Sequence, residues 1–97
     1  MTSNDQEPPQ NQVESLINLF TQGLFQNVLT EASQIQKKFP TSVLLYNICG
    51  GAHTELGQFG LAIENYKKAL VIKPDYADAF CNIGIVQQKK GKLKTAI

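Results

Sequence analysis

Apolar side chains recur at steps of three and four residues along most of the chain, a spacing that places them on one face of an α-helix. The first such stretch begins near Asn11 and stops before Gly23. Glycine is suited to end a helix because it adopts the left-handed C-terminal conformation without steric cost. A second stretch begins near Phe25 and ends near Phe39–Pro40, where the proline ring bars continuation. The pattern therefore predicts two helices joined by a short turn.

The same arrangement recurs along the rest of the chain. Gly57 and Gly91 follow Gly23 at intervals of 34 residues, and Pro74 follows Pro40 at the same interval. Self-similarity at a period of this length is typical of solenoids, in which supersecondary units stack in a row. The period therefore predicts an all-α solenoid of helix-turn-helix hairpins with about 2.5 repeats.

The helix signals divide the chain into a tail and an array. We expect residues 1–10, which are polar and contain two prolines, to be disordered because they cannot bury apolar surface. The array covers residues 11–97, with repeats at about 9–42, 43–76 and an incomplete 77–97.

Small and polar residues mark the predicted helix starts and crossings. Thr41 or Ser42 is the expected N-cap of the third helix, and Asp75 that of the fifth. We expect close helix crossings, where a larger side chain would push the backbones apart, at Gly50, Ala62, Gly84 and Ala96.

The third unit is predicted to be incomplete. Its first helix is expected to end at Gly91, and its partner helix to begin at Lys92 with about one turn before Ile97. Phe80 and Ile83 would then lack their cover. Because an exposed apolar patch predicts a partner, we expect that the natural protein continues past Ile97 or that a second copy covers this face.

These recurring residues resemble the tetratricopeptide repeat, a 34-residue helix-turn-helix motif. The second unit departs from the family pattern at Cys49 and His53, and the first unit is degenerate, with Gln12, Ser15-Leu16 and Ala32 in place of family residues. The second unit carries the motif best, with Tyr46, Gly50, Gly57, Phe59, Ala62, Tyr66, Ala69 and Pro74. The resemblance implies a right-handed α-solenoid that acts as a protein-binding scaffold and not as an enzyme.

The amino-acid sequence of the repeats resembles that of particular groups within the family. The run at 69–84 is similar to the repeats of bacterial tetratricopeptide proteins and to the repeat arm of O-linked N-acetylglucosamine transferases. This likeness leaves a second hypothesis open, in which the chain is the N-terminal, substrate-presenting arm of a larger enzyme such as a glycosyltransferase or sulfotransferase. A third hypothesis is self-association through the open C-terminal end.

The family resemblance also implies where a partner binds, since the first helices of successive units line a concave groove. In such a groove Asn47 and Asn82 would bind an extended peptide backbone, while Leu44 and Ile85 would supply apolar pockets. The alternative is that these side chains simply face water. The implied groove residues are Val13, Ile17, Leu44, Asn47, Gly51, Thr54, Asp78, Cys81, Asn82, Ile85, Gln88 and Lys89, with Phe20 and Glu55 beside them.

Family members that clamp a C-terminal carboxylate use basic and amide side chains at set places. The matching places here hold Val13, Ile17, Ile48, Asp78 and Asn82. Only the asparagine is a donor and the aspartate would repel a carboxylate, so we predict no such clamp.

Charge and composition exclude several other functions. The 97 residues are 42% hydrophobic and carry a net charge of +1, so the chain has no general basic field for nucleic acid. The lysines at 89–94 are interpreted as a solvated helix end. The sequence has no apolar run long enough to cross a membrane, and we expect a cytoplasmic protein with a protein or peptide partner.

No residue pattern indicates catalysis, a metal or a cofactor. His53 is the only histidine, and no acidic or thiol side chain is spaced to form a metal site or triad with it. Cys49 and Cys81 lack zinc-type spacing and are expected to be reduced thiols. Glu55 and Glu64 are interpreted as surface residues and not as a catalytic pair.

Overall fold

The chain forms five α-helices over the residues that the structure, a computed structural model, describes. These residues are 7–95, with side chains through residue 92. The helices are α1 (Gln10–Thr21), α2 (Phe25–Gln36), α3 (Val43–Glu55), α4 (Phe59–Ile72) and α5 (Ala77–Thr95).

The turns within the first two hairpins confirm the predicted 34-residue period. Gly23 and Gly57 have φ angles of 80° and 76°, a left-handed conformation that favours glycine. At the first turn the Leu24 N–H donates to the Leu19 carbonyl at 2.9 Å, and the equivalent bond after Gly57 measures 2.8 Å. Both bonds belong to the glycine-ended motif that satisfies the last carbonyls of a helix.

The turn predicted at Gly91 is wrong. Helix α5 runs without a break from Ala77 to Thr95, so Lys92 continues this helix and does not start a partner helix. Among the described glycines only Gly23 and Gly57 adopt a positive φ, so Gly91 lacks the left-handed conformation that ends the helices at the first two turns.

Two other helix ends differ from the predicted ones. Helix α2 ends at Gln36, before the predicted Phe39–Pro40, because a residue that precedes proline is disfavoured in the α conformation. Helix α5 begins at Ala77, so Asp75 lies in the preceding turn and does not occupy the position next to the helix.

The five helices pack mainly against their neighbours in sequence. Contacts join α1 with α2, α2 with α3, α3 with α4 and α4 with α5, and α3 also touches α5. A first core cluster joins α1, α2 and α3 through Leu16, Val28, Ala32, Leu45, Cys49 and Ala52. A second joins α3, α4 and α5 through Val43, Ala62, Tyr66, Ala69, Ala79 and Val86. Helices α3 and α4 thus connect the two halves of an elongated solenoid.

The helix crossing predicted at Gly50 is present, whereas the one predicted at Gly84 is not. A Cβ atom at Gly50 would lie 2.5 Å from the Tyr66 ring, so only glycine fits there. Ala62 in the partner helix is fully buried. At Gly84 no described atom outside the helix comes within 4 Å of an ideal Cβ position. Ala96 lies outside the described residues.

The start of α3 is held by a residue from the far N-terminal end of the chain. Ser42 is the N-cap, and its Oγ accepts a hydrogen bond from the Leu45 N–H at 3.1 Å. The Ser42 hydroxyl in turn donates to the Glu7 carboxylate, which also accepts from the Val43 N–H at 3.1 Å. Pro8 beside it is buried. The expectation of a disordered tail therefore fails for residues 7–10, and residues 1–6 lie outside the described part.

We expect Glu7→Ala to lower the free energy of unfolding by about 1–2 kcal/mol, since it removes a charged acceptor from two donors at a helix start. Urea denaturation followed by circular dichroism measures this change. Glu14→Ala is the matched control, because Glu14 is exposed and, within the described residues, accepts from the exposed side chain of Gln10. Equal stability of the two variants would show that the Glu7 contact contributes nothing.

Candidate functional site

A cleft of about 400 Å³ runs along the side of the solenoid formed by the first helix of each hairpin. Helices α1, α3 and α5 supply all but one of its lining residues, and the remaining one comes from α4. The lining side chains are Ile17, Phe20, Asn47, Ile48, Gly51, Thr54, Glu55, Tyr66, Asn82, Ile85, Val86 and Lys89. We call this cleft the concave groove.

The structure brings most of the predicted groove residues together. Those that line the groove are Ile17, Asn47, Gly51, Thr54, Asn82, Ile85 and Lys89, together with Phe20 and Glu55. Those that lie outside it are Val13, Leu44, Asp78, Cys81 and Gln88. Among the second group, Val13 and Leu44 are half-buried, so the apolar pocket predicted at Leu44 does not form part of this groove.

The sequence did not indicate Ile48, Tyr66 and Val86 as lining residues. Tyr66 belongs to the second core cluster, yet its ring reaches the groove because Gly50 and Gly51 place no side chain in front of it. A Cβ at Gly51 would lie 3.8 Å from the Tyr66 hydroxyl oxygen. The two consecutive glycines were the available sequence signal, since their lack of side chains on α3 leaves Tyr66 of α4 accessible from the groove.

The polar centre of the groove is a pair of asparagines from successive repeats. Asn82 Nδ2 donates to Asn47 Oδ1 at 2.9 Å, and both side chains are half-buried. This bond leaves the amide donors of Asn47 and the carbonyl oxygen of Asn82 without a partner among the described residues. A free donor next to a free acceptor matches the N–H and C=O of a peptide backbone.

The rest of the groove is apolar with nearly balanced charge. Ile17 and Ile85 are each 47% exposed and flank the asparagine pair from α1 and α5. Phe20 closes the floor, since its Cε2 atom lies 3.1 Å from an ideal Cβ at Gly51. Glu55 and Lys89 bring one charge of each sign. The groove therefore offers apolar contact and amide hydrogen bonds to a ligand without a strong charge.

Burial controls the titration of the nearby thiol and phenol groups. Burial raises the pKa of the Cys49 thiol from 9.0 to about 11, so the thiol stays protonated at neutral pH. Burial also raises the pKa of the Tyr66 hydroxyl, an effect that its hydrogen bond with Thr54 opposes. Both cysteines are free thiols, with Cys81 exposed.

The candidate residues for other chemistry are engaged in structural contacts. His53 Nδ1 lies 2.8 Å from Gln58 Oε1, which links the end of α3 to the residue preceding α4. Within the described residues, no three His, Cys, Asp or Glu side chains come together as metal ligands. None of the helices described over residues 7–95 combines the length and apolar character needed to cross a membrane.

Successive helix hairpins with glycine-ended turns one repeat apart define an all-α helical-repeat solenoid, a fold similar to that of tetratricopeptide repeat (TPR) proteins. Residues 50–91 match the family model described as TPR repeat. TPR repeats generally mediate protein–protein interaction.

Part of the chain is also similar to a curated protein. The protein from Guillardia theta called uncharacterized protein ycf37 is 38% identical over 52 residues, which cover 54% of this chain. The matched segment spans 29% of the length of that relative. No solved structure matches the chain significantly.

Proposed function

We propose that this chain is a non-enzymatic interaction module that holds an extended peptide in the concave groove. The observation that carries the proposal is the asparagine pair, in which Asn82 donates to Asn47 and leaves one donor and one acceptor facing the groove. An extended peptide backbone presents a complementary acceptor and donor in each residue.

The apolar walls specify the type of peptide. Ile17 and Ile85 are partly exposed on either side of the pair, and Phe20 lies at the floor. Ligand sites of this kind bury an apolar side chain and orient it with a few polar groups. The preferred peptide therefore carries one large aliphatic or aromatic side chain, with neutral residues on either side of it.

Fluorescence polarisation with labelled synthetic peptides tests this proposal. The first probe is an extended, neutral peptide of Ser, Thr and Gln with one central Leu or Phe, and the second has Ser at the centre. We expect binding of the first peptide and at least about tenfold weaker binding of the second, since burial of a Leu or Phe contributes about 1.5–3 kcal/mol.

We expect the double variant Asn47→Ala/Asn82→Ala to bind the first peptide about tenfold more weakly, because it removes both backbone-directed amides. The matched control is Asn18→Ala/Asn27→Ala, which removes two exposed asparagines from α1 and α2 outside the groove. Unchanged affinity of the first variant, with an intact helical circular dichroism spectrum, would contradict the assignment of this site.

The hypothesis that the chain is the substrate-presenting arm of a larger enzyme stays a prediction from the amino-acid sequence of its repeats. The described residues support the interaction module instead, since the lining of the groove combines amide and apolar groups. A cytoplasmic location remains part of the same proposal.

A further inference from the structure

The floor of the concave groove carries a polar atom beside its apolar walls. The atoms nearest to an ideal Cβ position at Gly51 are two carbons of the Phe20 ring, at 3.1 and 3.3 Å, and the hydroxyl oxygen of Tyr66, at 3.8 Å. Because Gly51 has no side chain, this oxygen borders the space that the groove encloses. A ligand side chain that reaches the floor would therefore meet a hydroxyl oxygen as well as an aromatic ring.

The hydrogen bonds around Thr54 determine what this oxygen can do. The Thr54 hydroxyl donates its one proton to the Gly50 carbonyl at 2.8 Å. Thr54 is also the hydrogen-bond partner of the Tyr66 hydroxyl, and with its own proton in use it can only accept there. The Tyr66 O–H is therefore the donor in this bond. Its oxygen keeps the capacity to accept, and the hydrogen bonds of the described residues supply no donor to it.

The charge next to Tyr66 also favours a donor from the ligand. Burial raises the pKa of the Tyr66 hydroxyl, and the negative charge of Glu55 adds to this effect, so the group stays neutral at pH 7. Of the two charged groups that line the groove, Glu55 is the one whose charge acts on this hydroxyl. A negative field at the floor attracts the hydrogen of an O–H or N–H group and repels an anion.

The acceptor at the floor lies about one helical turn beyond the asparagine pair. Asn47 and Gly51 are four residues apart on α3, which is about 6 Å along the helix at 1.5 Å per residue. An extended peptide covers this distance in two residues at about 3.3 Å each, and side chains two residues apart point to the same side. The backbone held by the pair and the side chain that enters the floor can therefore belong to one short segment.

We propose that the groove selects a tyrosine of the bound peptide, whose ring packs against Phe20 and whose hydroxyl donates to the Tyr66 oxygen. The inference rests on the proposed function, since it names the anchor of the same peptide. The tyrosine hydroxyl lies at the tip of its ring, so it reaches the floor while the ring contacts Ile17 and Ile85 on the walls. Phenylalanine would fill the same walls but would leave the acceptor at the floor without a donor.

Two peptides that differ by one oxygen atom test this selection. Both have the extended, neutral sequence of Ser, Thr and Gln described above, one with Tyr and the other with Phe at the centre. Fluorescence polarisation with the unmodified chain should show at least about fivefold tighter binding of the Tyr peptide, the gain expected from one additional buried hydrogen bond.

Tyr66→Phe should remove this preference, because it deletes the acceptor and keeps the ring. The affinity ratio of the two peptides should then fall to about one, which completes a double-mutant cycle between the two hydroxyl groups. Tyr46→Phe is the matched control, since the Tyr46 hydroxyl donates to the Pro40 carbonyl and lies outside the groove. It should retain the full ratio. Circular dichroism shows whether each variant is folded.

Gly51→Ala tests the same oxygen without altering Tyr66. Its methyl group would lie 3.8 Å from the Tyr66 oxygen and would cover it from the side of the groove. The preference for the Tyr peptide over the Phe peptide should therefore disappear in this variant as well.

Equal affinity of the unmodified chain for the two peptides would overturn the tyrosine assignment and leave the proposed groove intact. So would a preference that both Tyr66→Phe and Gly51→Ala leave unchanged, since another group would then recognise the hydroxyl. Failure of both peptides to bind, or binding that Asn47→Ala/Asn82→Ala leaves unchanged, would instead contradict the proposed function and this inference with it.

Discussion

Gly50→Ala should lower the free energy of unfolding by about 1–3 kcal/mol, although alanine normally stabilises a helix relative to glycine. The reason is steric, since the added Cβ would lie 2.5 Å from the Tyr66 ring. Tyr66 is only 3% exposed and packs in the second core cluster, so its ring has little room to move. Either α3 and α4 must separate or the ring must leave its preferred rotamer.

Gly84→Ala is the control for this prediction, because it makes the same change at the equivalent position of the next repeat. With no atom within 4 Å of the new Cβ, it should stabilise the protein by about 0.5–1 kcal/mol. Urea denaturation at low protein concentration measures both variants. The same sign of effect at Gly50 and Gly84 would show that the close contact with Tyr66 does not constrain position 50.

Raising the pH from 9 to 11 should reduce stability by about 2 kcal/mol through Cys49 alone. The folded state holds the pKa of this thiol at about 11, compared with 9.0 when it is unperturbed. Between these values the unfolded chain loses the thiol proton while the folded chain keeps it. The stabilisation is therefore complete below pH 9 and is lost as the pH rises through 11.

Cys49→Ala isolates this contribution from the lysines and tyrosines that titrate in the same range. Unfolding curves of both proteins at several pH values from 8 to 11 should converge as the pH rises, because only the unmodified chain loses the thiol contribution. In the folded protein an alkylating reagent should modify the exposed Cys81 and spare Cys49. Parallel pH profiles, or equal reactivity of the two thiols, would contradict this account.

Much of the fold was predictable because its signals are local. Gly23 and Gly57 both end a helix, because the left-handed conformation depends on the glycine itself and on hydrogen bonds within the adjacent helical turn. Ser42 caps α3 for a similar local reason.

The errors concern features that depend on distant parts of the chain. Gly91 occupies the same place in the repeat as Gly57, but it does not adopt the positive φ of Gly57, and α5 continues through it to Thr95. The contact between Glu7 and Ser42 joins residues 35 positions apart, and no helix pattern or propensity predicts such a pair.

Some features of the groove could likewise be predicted from the sequence and others could not. Repeat phase and family resemblance predicted Asn47 and Asn82 in the groove, because equivalent positions of successive repeats face the same side. Their mutual hydrogen bond and the place of the buried Tyr66 ring in the groove lining depend on how far α3 stands from α5 and α4, and sequence periodicity does not specify these distances.

The bond between Glu7 and Ser42 also changes the topology of the solenoid at one end. Arrays that pack only against sequence neighbours unravel from their termini, where each unit has one neighbour. Here the contact closes the first hairpin into a loop that ends at the start of α3. Helix α1 is consequently tethered at both ends, and separating it from α2 requires that this loop first be opened.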